Sequence, residues 1–109
     1  PAYNNSTWNI HLGSTNCTGE PQLGETVACT RNNRPQIALD NFDPATSTIV
    51  VDYSALIAAA SVGQDEGGAP GCMSGATDPE CPTVFANLGL DVVSGDVDIT
   101  VNQTVFQLK

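Results

Sequence analysis

Four cysteines limit how this chain of 109 residues can fold more than any other feature does. An even number of cysteines in a short chain is typical of proteins that fold in an oxidising compartment. Pairing neighbours along the sequence, Cys17 with Cys29 and Cys72 with Cys81, closes two short loops without threading one through the other. Each such disulfide stabilises a fold by about 2–4 kcal/mol. We therefore predict these two bonds among the three pairings that four cysteines allow.

A zinc site made of four thiolates is the rival interpretation of the same cysteines. Zinc ligands usually occur as pairs separated by two to four residues. The intervals from Cys17 to Cys29 and from Cys72 to Cys81 are much longer than that. The spacing therefore favours disulfides, and with them a periplasmic, cell-surface or secreted location.

Composition excludes several classes of function. The chain has 12 acidic and 3 basic residues and a formal charge of −9, which repels phosphate backbones and anionic lipids. No apolar run approaches the roughly 18 residues that a membrane-spanning helix needs. We expect residues 1–109 to form a single four-cysteine domain that binds no nucleic acid and has no membrane span.

The pattern of apolar residues predicts a mainly β fold, a disulfide-stapled β-sandwich-like domain or half-domain. Residues 7–12 alternate polar and apolar side chains, which predicts a strand with Trp8, Ile10 and Leu12 facing the core. Residues 36–39 and 48–52 are predicted to form a hairpin, and residues 96–108 a closing strand or hairpin. Residues 13–35 show turn chemistry without a period, so they are predicted to form a long loop in which Arg31 and Arg34 are solvated or pair with carboxylates.

Two short helices complete the prediction. Asp52 stands where an N-cap would stand, ahead of a helix-forming run over residues 53–60. Asp78 and Pro79 are placed to open a second helix that runs through Asn87, with Gly89 just after its end. Val84, Phe85 and Leu88 are predicted to form the buried face of this helix.

Candidate chemistry is sparse, and we expect no enzyme. There is one histidine and no marker of a serine nucleophile such as G-x-S-x-G. His11 and Met73 are the candidate borderline and soft metal ligands, and imidazole and thioether groups suit copper. One histidine cannot form a tight site alone, and the alternative is a strand histidine that makes ordinary polar contacts. Trp8 and His11 are three residues apart, so a regular strand would point them to opposite faces.

Several motifs occur together in order from residue 8 to residue 106. They are Trp8-x-x-His11-Leu12-Gly13-Ser14-Thr15-x-Cys17, Cys29, Asn33-Arg34-Pro35, Phe42-Asp43-Pro44, Val51-Asp52, Leu56, Ala69-Pro70-Gly71-Cys72-Met73-Ser74-Gly75, Asp78-x-x-Cys81 and Phe85-Ala86-Asn87-Leu88-Gly89-Leu90. This series resembles the C-terminal half of the four-Cys motif proteins of the metallo-mystery pair system, which are relatives of the methanobactin-associated periplasmic copper-binding protein.

The resemblance implies a secreted or periplasmic β-rich protein that binds copper and works with a di-haem cytochrome peroxidase-like partner. That partner is expected to oxidise a tryptophan to kynurenine. Trp8 is the only tryptophan and His11 the only histidine, so Trp8 is the candidate oxidised residue and His11 the candidate copper ligand. The resemblance also implies that an N-terminal half, or another protein chain, completes the copper site.

A second hypothesis comes from a different class of protein. An acidic β-domain held by disulfides can serve as a structural or adhesive extracellular module that binds no metal and self-assembles or docks on another chain. The presence of Trp8 and His11 favours the copper hypothesis, while the short chain favours the structural one.

Overall fold

The computed structural model describes residues 2–3 and 6–109, with side chains described from residue 7 onward. This part of the chain contains short strands and two short α-helices. The strands are β1 (Ala2–Tyr3), β2 (Ser6–Thr7), β3 (Asn9–Ile10), β4 (Thr15–Thr18), β5 (Ala28–Arg31), β6 (Ile49–Val51), β7 (Gly71–Cys72) and β8 (Phe106–Leu108), and the helices are α1 (Tyr53–Leu56) and α2 (Cys81–Asn87). The predicted mainly β class with two short helices is confirmed.

The strands pair two by two and do not close into a barrel. Strands β1 and β2, β4 and β5, and β6 and β8 are antiparallel, whereas β3 and β7 are parallel. The disulfides Cys17–Cys29 and Cys72–Cys81 are both present, as predicted, and no cysteine is free. The four-thiolate zinc alternative is therefore wrong for this structure.

The core lies between α2 and the β3–β7 pair. It is a cluster of apolar side chains that are at most 5 % exposed, with the Cys72–Cys81 disulfide among them. Its members are Trp8, Cys72, Cys81, Val84, Phe85, Leu88, Leu90 and Val105. The prediction that Val84, Phe85 and Leu88 form the buried face of the second helix is confirmed.

Helix α1 is shorter than predicted. Its cap is as expected, because the Asp52 carboxylate accepts from the backbone N–H of Ala55 at 3.0 Å. The helix ends at Leu56 rather than at residue 60, since Ala59 has a positive φ of 60°. The Asn87 side chain donates to the carbonyls of Leu56 and Ala58, so the last turn bonds to α2 instead of extending the helix.

Helix α2 begins later than predicted. Asp78 does not cap it, because one carboxylate oxygen accepts from the N–H of Glu80 at 2.9 Å and holds a preceding turn. The proline in the first turn is Pro82, not Pro79. The predicted end is confirmed, since Gly89 follows the helix with a φ of 72°, which glycine adopts without strain.

Residues 13–35 are not simply a loop, since they contain the β4–β5 hairpin. Cys17 and Cys29 face each other directly across this hairpin, so the disulfide staples two paired strands. The alternation that predicts strands cannot reveal such a hairpin, because its strands are largely exposed and polar on both faces.

The predicted hairpin of residues 36–39 with residues 48–52 is wrong. Strand β6 pairs instead with β8, and residues 36–39 form no strand. The predicted strand over residues 96–108 is reduced to β8, because the Asp98 side chain accepts from the N–H and hydroxyl of Thr100 and makes a turn there. Ile99, which lies in the predicted strand, is 92 % exposed in that turn. Leu12, predicted to face the core, is 38 % exposed because residues 7–12 leave the strand after Ile10.

Candidate functional site

His11 follows strand β3 and extends its pairing with β7. In this parallel pair Asn9 lies opposite Gly71 and Ile10 opposite Cys72. The His11 N–H donates to the Cys72 carbonyl at 2.9 Å, in the same pattern as the bond from the Asn9 N–H to the Pro70 carbonyl. The backbones of His11 and Met73 lie just after the last registered pair of these strands.

The backbone on both sides of this pair is held by polar side chains. Ser74 is buried, and its hydroxyl donates to the His11 carbonyl at 2.5 Å and accepts from the Gly13 N–H at 3.0 Å. The Asp78 carboxylate accepts from the Met73 N–H at 2.8 Å. Three side-chain contacts therefore fix the two backbones that carry His11 and Met73.

The side chains of His11 and Met73 differ in exposure. The His11 side chain is exposed, and Met73 is partly buried. The backbones that carry the only imidazole and the only thioether of the chain are therefore neighbours, and the imidazole is open to solvent.

Gly71 explains why the two strands approach so closely. It has a φ of 103°, and a Cβ at this position would lie 1.9 Å from the Asn9 carbonyl oxygen. Only glycine avoids that clash and that backbone strain. Gly71 is therefore required for the pairing that aligns His11 with Met73.

Trp8 lies on the other side of the strand, as the sequence spacing predicts. It is 2 % exposed and belongs to the core, whereas His11 is exposed. The structure does not bring the indole of Trp8 to the surface that carries the imidazole of His11.

The partner of Trp8 is Glu80, a buried carboxylate that sequence reasoning missed. The indole N–H donates to Glu80 Oε1 at 3.0 Å, and Oε2 accepts from the Gly71 N–H at 2.8 Å. The Glu66 N–H adds a longer bond of 3.4 Å to Oε1. Glu80 is only 5 % exposed. The sequence feature that could have indicated a buried Glu80 is its position directly before Cys81, a cysteine of the predicted disulfide.

Cys72, Asp78 and Cys81 offer three potential metal-ligand atoms within 4.8 Å of one another. The two sulfurs are joined to each other, so no thiolate is available to a metal. The Asp78 carboxylate already accepts from the N–H groups of Met73 and Glu80. The disulfide and the Asp78 hydrogen bonds therefore stabilise the backbone around Met73, and the cluster is not a second metal site.

Arg31 is buried, which corrects the prediction that it is solvated or paired with a carboxylate. Its guanidinium donates to the carbonyls of Ser74, Val92 and Val93 and to the Thr15 hydroxyl. It also lies 5.9 Å from the centroid of the Phe85 ring, within the range of a cation–π contact. Arg31 therefore ties the β4–β5 hairpin to the Ser74 turn and to residues 92–93.

These features define a class of protein: a small, mainly β domain with two disulfides, one buried within its core and one across an exposed hairpin. Within that class, the chain is similar to MbnP from Methylosinus trichosporium, at 38 % identity and a TM-score of 0.85. The match covers 93 % of this chain and 38 % of the MbnP chain. The chain is thus related to MbnP over a region much shorter than MbnP itself. No protein-family model and no curated protein sequence matches the chain.

Among the described residues, no helix has the length and apolar character that crossing a membrane requires.

Proposed function

We propose that this chain is the four-cysteine part of an exported, MbnP-related copper protein, and that His11 and Met73 supply two of the ligands to Cu(I). The observation that supports the proposal is the hydrogen bond from the His11 N–H to the Cys72 carbonyl, which holds the backbone at His11 against the residue before Met73. The relation to MbnP and the implied copper chemistry of its relatives support the same assignment.

The donor set favours the reduced ion. Thioether groups are soft ligands that select Cu(I), and imidazole binds copper in either oxidation state. Hydrogen bonds already fix the backbones that carry His11 and Met73, so copper binding would cost little conformational entropy of the main chain. Two donors form an incomplete site, so the remaining ligands come from polypeptide beyond these 109 residues.

Export is part of the proposal. Two disulfides among four cysteines suit an oxidising location such as the periplasm or the outside of the cell. The acidic surface of the chain suits attraction of cations and of basic partner proteins, but not of nucleic acid.

The proposal includes a di-haem, peroxidase-like partner that oxidises Trp8. The indole is 2 % exposed, so an oxidant could not touch the ring and its electron would have to leave through surrounding protein. Glu80 is placed to hold the proton that the indole N–H would release, which would leave a tryptophanyl radical as the first product. Conversion to kynurenine would then take two oxygen atoms from the peroxide that such a partner uses, with two water molecules formed, and hydrolysis would release the formyl carbon as formate. Peptide mapping of the chain purified from cells with and without that partner tests this part, and an unmodified Trp8 in both would reject it.

The copper ligands are tested by competition of the oxidised chain against a Cu(I)-specific chelator under anaerobic conditions. His11→Ala and Met73→Leu should each weaken binding by at least ~10-fold, the effect of about 1.4 kcal/mol. Thr7→Ala, at the exposed residue that ends β2, is the control and should bind like the parent. Equal affinity in all four proteins would reject the site and favour the structural or adhesive module.

A further inference from the structure

The β6–β8 ribbon has an apolar face that the rest of the described chain covers on the β8 side and leaves exposed on the β6 side. Ile49 lies opposite Leu108 and Val51 opposite Phe106, so these four apolar side chains share one face. Ile49 is 52 % and Val51 57 % exposed. A two-stranded ribbon is marginal by itself and needs a third strand or a packed layer.

An apolar groove continues this face. It is lined by Ile37, Leu39, Phe42, Ile49 and Phe106. Phe42 is 46 % exposed, although large aromatic side chains usually bury most of their surface. The ribbon and groove together form a continuous apolar surface, and such surfaces on small domains mark interaction sites.

The two edges of the ribbon differ in their hydrogen bonds. Along β6, residues 48, 50 and 52 bond to β8, which turns the peptide groups of Ile49 and Val51 toward the outer edge. Over the described ranges 2–3 and 6–109, no group bonds to the N–H or carbonyl of Ile49 or Val51.

The outer edge of β8 is closed at Phe106 by a side chain. The Gln103 amide accepts from the Phe106 N–H at 2.8 Å and donates to the Phe106 carbonyl at 3.1 Å. The glutamine occupies the hydrogen-bonding groups of Phe106, whereas neither Ile49 nor Val51 has such a side chain against it, so β6 is the more open edge for another strand.

We infer that the β6 edge is a docking site for an added β-strand, which pairs with Ile49 and Val51 and covers the apolar groove. The occupant we assign is a strand from polypeptide equivalent to the part of MbnP outside the match. That part is most of the MbnP chain, since the match covers 38 % of it. Strand addition of this kind derives affinity from main-chain bonds and specificity from side-chain pockets.

A full-length chimera tests this inference, with residues 1–109 replacing the matching region of MbnP. Hydrogen exchange of the Ile49 and Val51 amides should be at least ~100-fold slower in the chimera than in the chain alone, because they become hydrogen-bonded. Val51→Lys should lower the melting temperature of the chimera more than that of the chain alone, since an edge lysine opposes strand addition. Ile99→Lys places the same charge on a 92 % exposed isoleucine outside the groove and should affect both equally.

Three results would overturn the inference. One is equal exchange of the two amides in the chimera and in the isolated chain. Another is a chimera that does not fold, because the surface would then not accept the MbnP polypeptide. The third is a dimer of the isolated chain by sedimentation that Val51→Lys dissociates, because the occupant would then be a second copy. The outcome is independent of copper, so failure here leaves the proposed metal ligands standing.

Discussion

The indole N–H of Trp8 donates to the carboxylate of Glu80, 72 residues later in the sequence, at 3.0 Å inside the core. The second oxygen of Glu80 accepts from the Gly71 N–H. One buried carboxylate therefore links the strand before His11 with the strand before Met73. This contact lies beneath the backbone segments that carry the two candidate copper ligands.

Glu80→Gln should destabilise the fold by about 2 kcal/mol. An amide has one acceptor oxygen instead of two, so either Trp8 or Gly71 would face an N–H group and lose its partner while buried. Urea unfolding followed by the fluorescence of the single tryptophan measures the change. Glu66→Gln makes the same substitution on an exposed side chain nearby and should leave the midpoint unchanged. An unaltered midpoint for Glu80→Gln would show that the carboxylate is not needed.

Arg31→Lys should destabilise the protein by about 3 kcal/mol. A lysine keeps the charge but cannot reach the carbonyls of Ser74, Val92 and Val93 together, so buried acceptors lose their donors. Arg34→Lys on an exposed side chain is the control. Equal unfolding free energies for the two variants would contradict the role of Arg31 as a cross-link.

The two disulfides should contribute unequally to stability. They close loops of similar length, with sequence separations of 12 and 9, so their effect on the unfolded chain is similar, about 3 kcal/mol each. Cys72 and Cys81 are fully buried, whereas Cys17 is exposed and Cys29 partly so.

Replacing the Cys72–Cys81 pair by alanines should therefore cost at least ~1 kcal/mol more than replacing the Cys17–Cys29 pair, since it also leaves space in the core. Denaturant unfolding of the two double variants gives the comparison. A larger loss from the hairpin pair would contradict this ranking.

Asp98 should titrate below its ordinary range because of Thr100. The Thr100 hydroxyl, and then the Thr100 N–H, donate to the carboxylate and lower the pKa of Asp98. Since this pKa is lower than the ~3.9 of an unfolded aspartate, the stabilisation is complete above that value and is lost as pH falls through the folded pKa. Thr100→Val should raise the pKa of Asp98 in an NMR titration of the carboxyl carbon. Thr104→Val is the control, and an unchanged pKa in Thr100→Val would refute the assignment.

The parts of the structure that local chemistry decides were predictable from the sequence. Disulfide pairing, the Asp52 cap, the Gly89 stop and the buried stripe of α2 depend on neighbouring residues, and each is observed. The opposite environments of Trp8 and His11 also followed from strand alternation.

Long-range pairing could not be predicted in the same way. The partner of β6 is 57 residues away, and nothing in the pattern distinguishes β8 from residues 36–39 as its neighbour. The buried roles of Arg31 and Glu80 depend on carbonyls and N–H groups that converge only after folding. Local composition made both residues look like surface charges.

X-ray absorption at the copper edge of the Cu(I)-loaded, disulfide-intact chain tests the central claim most directly. The account predicts one sulfur ligand and at least one nitrogen ligand, with the sulfur lost in Met73→Leu and retained in Thr7→Ala, because Met73 is the only sulfur outside the two disulfides. A copper environment of nitrogen and oxygen alone in the parent chain would contradict the pairing of His11 with Met73.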